Sequence, residues 1–141
     1  MESPKITKHF TWRDASCKCG KCGPMPDTII DNVVELAERL EKVVVTANKL
    51  VKKFKLNLEE ITLTITSWYR CYSKDAHGLG LAVDISCRDN VHRYLLIAAA
   101  IICGFNRIGT YVLTTDRKII HLDIDNTNPL IRPPYQLWVE S

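Results

Sequence analysis

An α+β fold with an antiparallel sheet is predicted from three observations. A long stretch from Asp27 repeats apolar residues at helical spacing, several later stretches are rich in β-branched residues or alternate with period two, and a second helical stretch divides those strands into pairs. Each element follows from its own residues.

Asp27 is a good N-cap, and Ile30, Val33, Val34, Ala37, Leu40 and Val44 recur every three or four positions, continuing through Ala47, Leu50 and Phe54. One amphipathic helix over 27–54 is expected. The β-branched run Val43 to Thr46 favours a strand, but the periodicity continues on both sides of it. Ile61-Thr-Leu-Thr-Ile-Thr66 alternates apolar with polar residues, which predicts a half-buried strand delivering Ser67-Trp-Tyr-Arg70 at its end. A loop with His77, Gly78 and Gly80 follows, and Leu81 to Ser86 forms a second strand.

Asp89 or Asn90 caps a second helix that runs to about Cys103, where Gly104 stops it. Arg107 to Leu113 and Lys118 to Ile124 form a hairpin around Thr114-Thr-Asp-Arg117. Beyond Asn126 the tail, with Pro129, Pro133 and Pro134, is expected to wrap the surface with Trp138 packed down. Residues 1–26 read as an irregular, cysteine-containing arm docked by Phe10 and Trp12. The order α, β, β, α, β, β gives a sheet of about four antiparallel strands packed with two main helices.

The chain of 141 residues suits one domain spanning 1–141, and neither an internal repeat nor a long linker divides it. Its formal charge of +3 is small and its lysines and arginines are dispersed, which points away from nucleic acid but suits a polyanionic surface such as a bacterial wall. The start, MESPKITKHF, has no apolar stretch like a signal peptide, and the longest apolar run, Leu95 to Cys103, is too short to span a bilayer. Synthesis in the cytoplasm, without membrane insertion, and a monomeric state are the expectations.

Imidazoles with a carboxylate suit zinc near neutral pH, and a catalytic site leaves one position open. His77 in the glycine-rich loop, Asp84 seven residues on and His121 in the last hairpin strand offer that donor set. Asp123 and Asp125 share a strand face with His121, so a carboxylate can stand beside the metal.

Ala76-His-Gly-Leu-Gly-Leu-Ala-Val-Asp84 resembles the SxHxxGxAxD motif of the peptidase M15 family of zinc D,D-carboxypeptidases and L,D-endopeptidases, which have a hedgehog/DD-peptidase fold. Thr66-Ser-Trp-Tyr-Arg70 is similar to the family's S-x-Y-R segment, Ile108-Gly-Thr-Tyr111 to its G-I-G-x-Y strand, and Ile120-His-Leu-Asp123 to its H-V-D strand. Phe10 to Gly23 resembles the cysteine-containing start of phage-type members, so the likeness covers nearly the whole chain.

The resemblance implies that His77, Asp84 and His121 ligate one catalytic zinc and that Arg70 contacts the substrate; Ser67, Asp75, Tyr111 and Trp138 are further candidate substrate-binding residues. It implies hydrolysis of peptidoglycan stem peptides or cross-links, as in a phage or prophage endolysin acting on the cell wall. Two departures stand out. Asp75 replaces the family's serine, and the loop between the arginine and the first histidine is cut to Cys71 through Ala76. Lys118 also stands where several members place the catalytic acid, which leaves Asp123 as candidate base with Asp116 and Asp125 behind it. Other readings stay open: Arg70 pairing with an acidic neighbour, Asp123 orienting the His121 ring, and a non-catalytic, zinc-stabilised binding module of the same fold.

Six cysteines are many for such a chain. Cys17, Cys19 and Cys22, with Cys71 as a fourth, fit a second, structural zinc or disulfides. Cys87 and Cys103 read as small buried apolar residues, and His9 and His92 as ordinary histidines.

Overall fold

Two helices pack on each other and share one core with the inner face of a sheet. The computed structural model describes residues 3–111, 119–126 and 134–140, with only the backbone of Tyr111 and Glu140. Helix α1 is one turn, Trp12–Ala15; α2 is Asp27–Lys53 and α3 is Asn90–Ile102. The strands are β1 (Thr64–Ser67), β2 (Ala82–Ser86), β3 (Arg107–Tyr111), β4 (Ile119–Asp123) and β5 (Gln136–Glu140).

Helix α2 buries Ile29, Val33, Leu36, Ala37, Leu40, Val43, Val44, Ala47, Leu50 and Val51, one continuous stripe at helical spacing. Burial of Val43 and Val44 outweighs the strand preference of the run around them, while Val45 points outward. Asp27 is not the N-cap. Pro26 occupies that position, its carbonyl accepting from the N–H groups of Ile29 and Ile30, and Asp27 in the first turn complements the positive end of the helix dipole.

Asp89 caps α3 as expected, its carboxylate accepting from the His92 N–H at 2.8 Å. At the other end Gly104 (φ +89°) closes a Schellman motif: Phe105 N–H donates to Ala100 and Gly104 N–H to Ile101. Glycine is required there for its left-handed backbone.

The sheet departs from the predicted one. Among the described residues it has five strands in the order β1-β2-β4-β3-β5, and it is mixed, because β5 pairs parallel to β3 while the other neighbours are antiparallel. The fifth strand comes from the tail expected to wrap the surface. Leu137 and Val139 remain exposed on it, so it lacks the apolar burial that makes a strand visible in sequence. Strand β1 also begins later than expected. Ile61 is withheld from the ladder by Asn48 of α2, which accepts from its N–H at 2.7 Å and donates to its carbonyl at 3.0 Å.

The arm is less irregular than predicted. Thr11 and Asp14 form a capping box around α1. Phe10 is buried edge-on against Trp68, and His9 and Thr7 both bond Glu41 of α2. Phe10, Ala15 and Trp68 join the helix stripe and the inner sheet face in one core. No helix among the described residues is long and apolar enough to cross a membrane.

Candidate metal centre

Strand register assembles the site. Ser67 pairs with Asp84, Asp84 with His121, His121 with Gly109, and Gly109 with Trp138, so one row crosses all five strands. Cross-strand partners project to the same face, which places the side chains of that row side by side. The shift of register between Ile65 and Ser67 in β1 brings Ser67 opposite Asp84.

His77 enters the row from a 3-10 turn, Ala76–Leu79. Asp75 caps the turn by accepting from the His77 N–H at 2.9 Å, and Gly80 ends it in a left-handed conformation against Ile29 and Val33 of α2. Any side chain at Gly78 would collide with the Ser73 carbonyl, its Cβ falling 2.0 Å from that oxygen. The buried Trp68 grips the turn twice: its indole N–H donates to the Gly80 carbonyl, and its own carbonyl lies 2.7 Å from His77 Nδ1. These contacts keep His77 almost fully buried, with Nε2 turned to Asp84.

The ligand-type atoms of His77, Asp84 and His121 all lie within 4.8 Å of one another. Asp84 Oδ1 is 3.4 Å from His77 Nε2 and 3.2 Å from His121 Nδ1, and the two rings meet edge to face at 5.2 Å. With its Nδ1–H donated to the Trp68 carbonyl, His77 presents a lone pair at Nε2. His121 is held likewise from behind, its Nε2 2.8 Å from Asp123 Oδ2, so its Nδ1 faces Asp84. Two imidazole lone pairs and a carboxylate oxygen therefore converge on one point. A divalent cation satisfies that arrangement, and ring nitrogens bonded to a carbonyl and a carboxylate are the usual second contacts of metal-binding histidines.

Burial alone would lower the His121 pKa, but the carboxylates of Asp123 and Asp84 outweigh it and raise it to about 9. Burial likewise disfavours charge on Asp84, yet hydrogen bonds and charge from His121 and His77 hold its carboxyl well below the ordinary range.

Arg70 is brought to the cluster as a partner of Asp84. Its Nη2 donates to Asp84 Oδ2 at 2.8 Å and its Nε to Ser67 Oγ at 2.8 Å, while about a quarter of the side chain (28%) stays exposed at the rim. Ser67 and Asp75, expected to line a substrate site, hold Arg70 and His77 in place. The backbone of Tyr111 pairs with Glu140 at the end of β3, and its side chain lies outside the described residues.

Asp123 does not stand as a free base. It is 1% exposed, and its Oδ1 accepts from Arg107 Nε at 2.7 Å and from the Asp125 N–H, while Oδ2 faces the His121 nitrogen that points away from Asp84. Asp125 is buried beyond the end of β4; Asp116 and Lys118 lie outside the described residues.

Sequence reasoning passed over two contributors. Gly109 faces the Trp138 ring so closely that a Cβ there would lie 2.7 Å from it, and this gap lets the indole reach His121, centroid to centroid 5.4 Å. Arg107 pairs with Asp123 and stacks over the same indole at 5.2 Å. A glycine inside a strand signals close approach, but the approaching residue is 29 positions away on an unrecognised strand.

The four arm-side cysteines also meet. Cys22 and Cys71 are joined as a disulfide, with the thiols of Cys17 and Cys19 beside them. Cys87 is buried, and burial pushes its thiol up to about 12, whereas Cys103 is only partly buried and contacts Thr46.

No family of related sequences, no curated protein and no solved structure matches the chain.

Proposed function

We propose that the chain is a zinc peptidase of the M15 type with a hedgehog/DD-peptidase-like fold, hydrolysing amide bonds in peptidoglycan stem peptides or cross-links in the manner of a phage endolysin. The observation that carries this reading is the convergence of His77 Nε2, Asp84 Oδ1 and His121 Nδ1, each backed by a partner that leaves its lone pair facing the same point. Two imidazoles and one carboxylate leave coordination open, the mark of a catalytic site as opposed to a closed structural one.

Bound zinc supplies Lewis acidity toward the amide carbonyl and toward water. The protein's own part is positioning. Arg70, anchored on Ser67 and Asp84, presents its guanidinium at the rim, where it meets a peptide carboxylate or the oxyanion of the attacked carbonyl. Trp138 walls the site beside His121 and offers an apolar face to the stem peptide. Asp123, backed by Arg107, keeps the His121 ring oriented and basic.

The test is incubation with purified muropeptides, with and without a chelator, reading new amino termini by mass spectrometry. Metal-dependent cleavage is expected. A folded, zinc-loaded sample that cuts nothing overturns the peptidase and favours a zinc-stabilised binding module.

A further inference from the structure

We propose that Cys17, Cys19, Cys22 and Cys71 form a second metal site, a tetrathiolate that takes a structural zinc and clamps the N-terminal arm to the segment carrying Arg70. The site shares no ligand with the sheet cluster and does not depend on the peptidase reading.

The four sulfurs lie within 4.8 Å of one another. Zn–S bonds of about 2.3 Å in a tetrahedron place sulfurs about 3.8 Å apart. Cys17 to Cys71 is 3.7 Å, Cys19 to Cys71 3.5 Å and Cys19 to Cys22 3.1 Å, all within several tenths of an ångström of that spacing. The bonded pair Cys22–Cys71 has to be reduced for zinc to enter, since the metal takes thiolates.

The local backbone is shaped for such a site. Cys19-Gly-Lys-Cys22 is a two-residue-spaced pair, and Gly20 (φ +71°) turns the chain so that the Lys21 N–H donates to Cys19 Sγ at 3.3 Å. An amide aimed at sulfur stabilises a thiolate, and Lys18 and Lys21, which adjoin the cysteines in sequence, add positive charge to a segment whose tetrathiolate zinc complex would carry a net −2. A disulfide uses two of these sulfurs; only a metal gives all four a common partner.

The clamp reaches the sheet site through one residue. Cys71 follows Arg70 directly, and the arm already touches this segment where Tyr69 N–H donates to Ala15 and Lys18 Nζ to the Thr66 carbonyl. Zinc here fastens three arm residues to the chain immediately after the guanidinium that pairs with Asp84.

The test uses the full chain purified under reductant with His77→Ala in place, so that zinc at the sheet site is removed from the count. Elemental analysis is expected to find one zinc per chain. Cobalt reconstitution should give intense sulfur-to-cobalt charge-transfer absorption, and tryptic cleavage after Lys18 and Lys21 should quicken when metal is stripped. Adding Cys19→Ser should remove the metal and the absorption, whereas Cys17→His should retain metal with weaker thiolate absorption and Cys87→Ser should change nothing. The proposal is overturned if the reduced protein holds no zinc, if it holds iron instead, if the cobalt spectrum lacks thiolate bands, or if Cys19→Ser keeps its zinc. Persistence of the Cys22–Cys71 bond in reductant, by mass, overturns it as well.

Discussion

The sheet cluster and the arm cluster each gather metal-ligating side chains, but by different means. His77, Asp84 and His121 are held by strand register, a capped turn and hydrogen bonds from behind, and two of the three are buried. The four cysteines sit on a short turn and a loop, three of them part-buried and Cys71 exposed, with Cys22 bonded to Cys71. A site built on a ladder is organised before its ligand arrives, whereas a site built on a turn is organised by its ligand. Preorganisation of the first kind is what catalysis requires.

Loss of a ladder ligand should separate the two clusters most clearly. His121→Ala is expected to abolish zinc binding at the sheet cluster and metal-dependent hydrolysis, a loss beyond the roughly ten- to hundredfold typical of outer partners, while leaving arm metal in place. Elemental analysis together with the muropeptide assay reads both. Asp123→Asn comes next: sheet-site affinity should fall about 10- to 100-fold, because the His121 ring loses its carboxylate. Normal affinity with a collapsed turnover number would instead return Asp123 to the role of base.

The pH dependence has opposite signs in the two metal states. A His121 raised to about 9 must lose its proton to bind metal, so zinc affinity should climb about tenfold per pH unit up to about 9. In the metal-free protein the same shift stabilises the fold fully below the ordinary value of 6.5, and that contribution is lost as pH rises through about 9. Calorimetric titration in buffers of differing ionisation heat counts the proton; metal affinity unchanged between pH 6.5 and 9 would contradict the assignment.

Gly109→Ala pushes the Trp138 ring off its place and should cost about 1–3 kcal/mol in denaturant unfolding. If the cost is absent, β5 docks without the close approach. The smallest effect belongs to the arm. Glu41→Gln should weaken docking by less than about 1 kcal/mol. Burial raises the Glu41 pKa, but bonds from His9 and Thr7 outweigh this and lower it. Its contribution is therefore present above 4.5 and lost on further acidification, which arm proteolysis against pH can follow.

Much of this was legible because the two long helices and the inner strands bury regular patterns. The α2 stripe and the Asp89 cap were readable residue by residue. His77, Asp84 and His121 could be named because their residue types suit one metal and their elements could be placed. What escaped depended on partners distant in sequence. Asn48 shortens β1 by capturing Ile61, and β5 exposes its apolar residues, so neither leaves a local pattern. The setting of Asp123 escaped because its partner Arg107 lies 16 residues away on the neighbouring strand.

The row across the sheet also ties the donor set to assembly. Asp84 and His121 are 37 residues apart in sequence and meet only in one alignment of β2 with β4. A slip of one position would turn His121 to the opposite face and leave Asp84 facing an apolar neighbour. A metal held by this donor set would therefore report correct strand pairing, because a chain zipped in the wrong frame would not bring the three donors together.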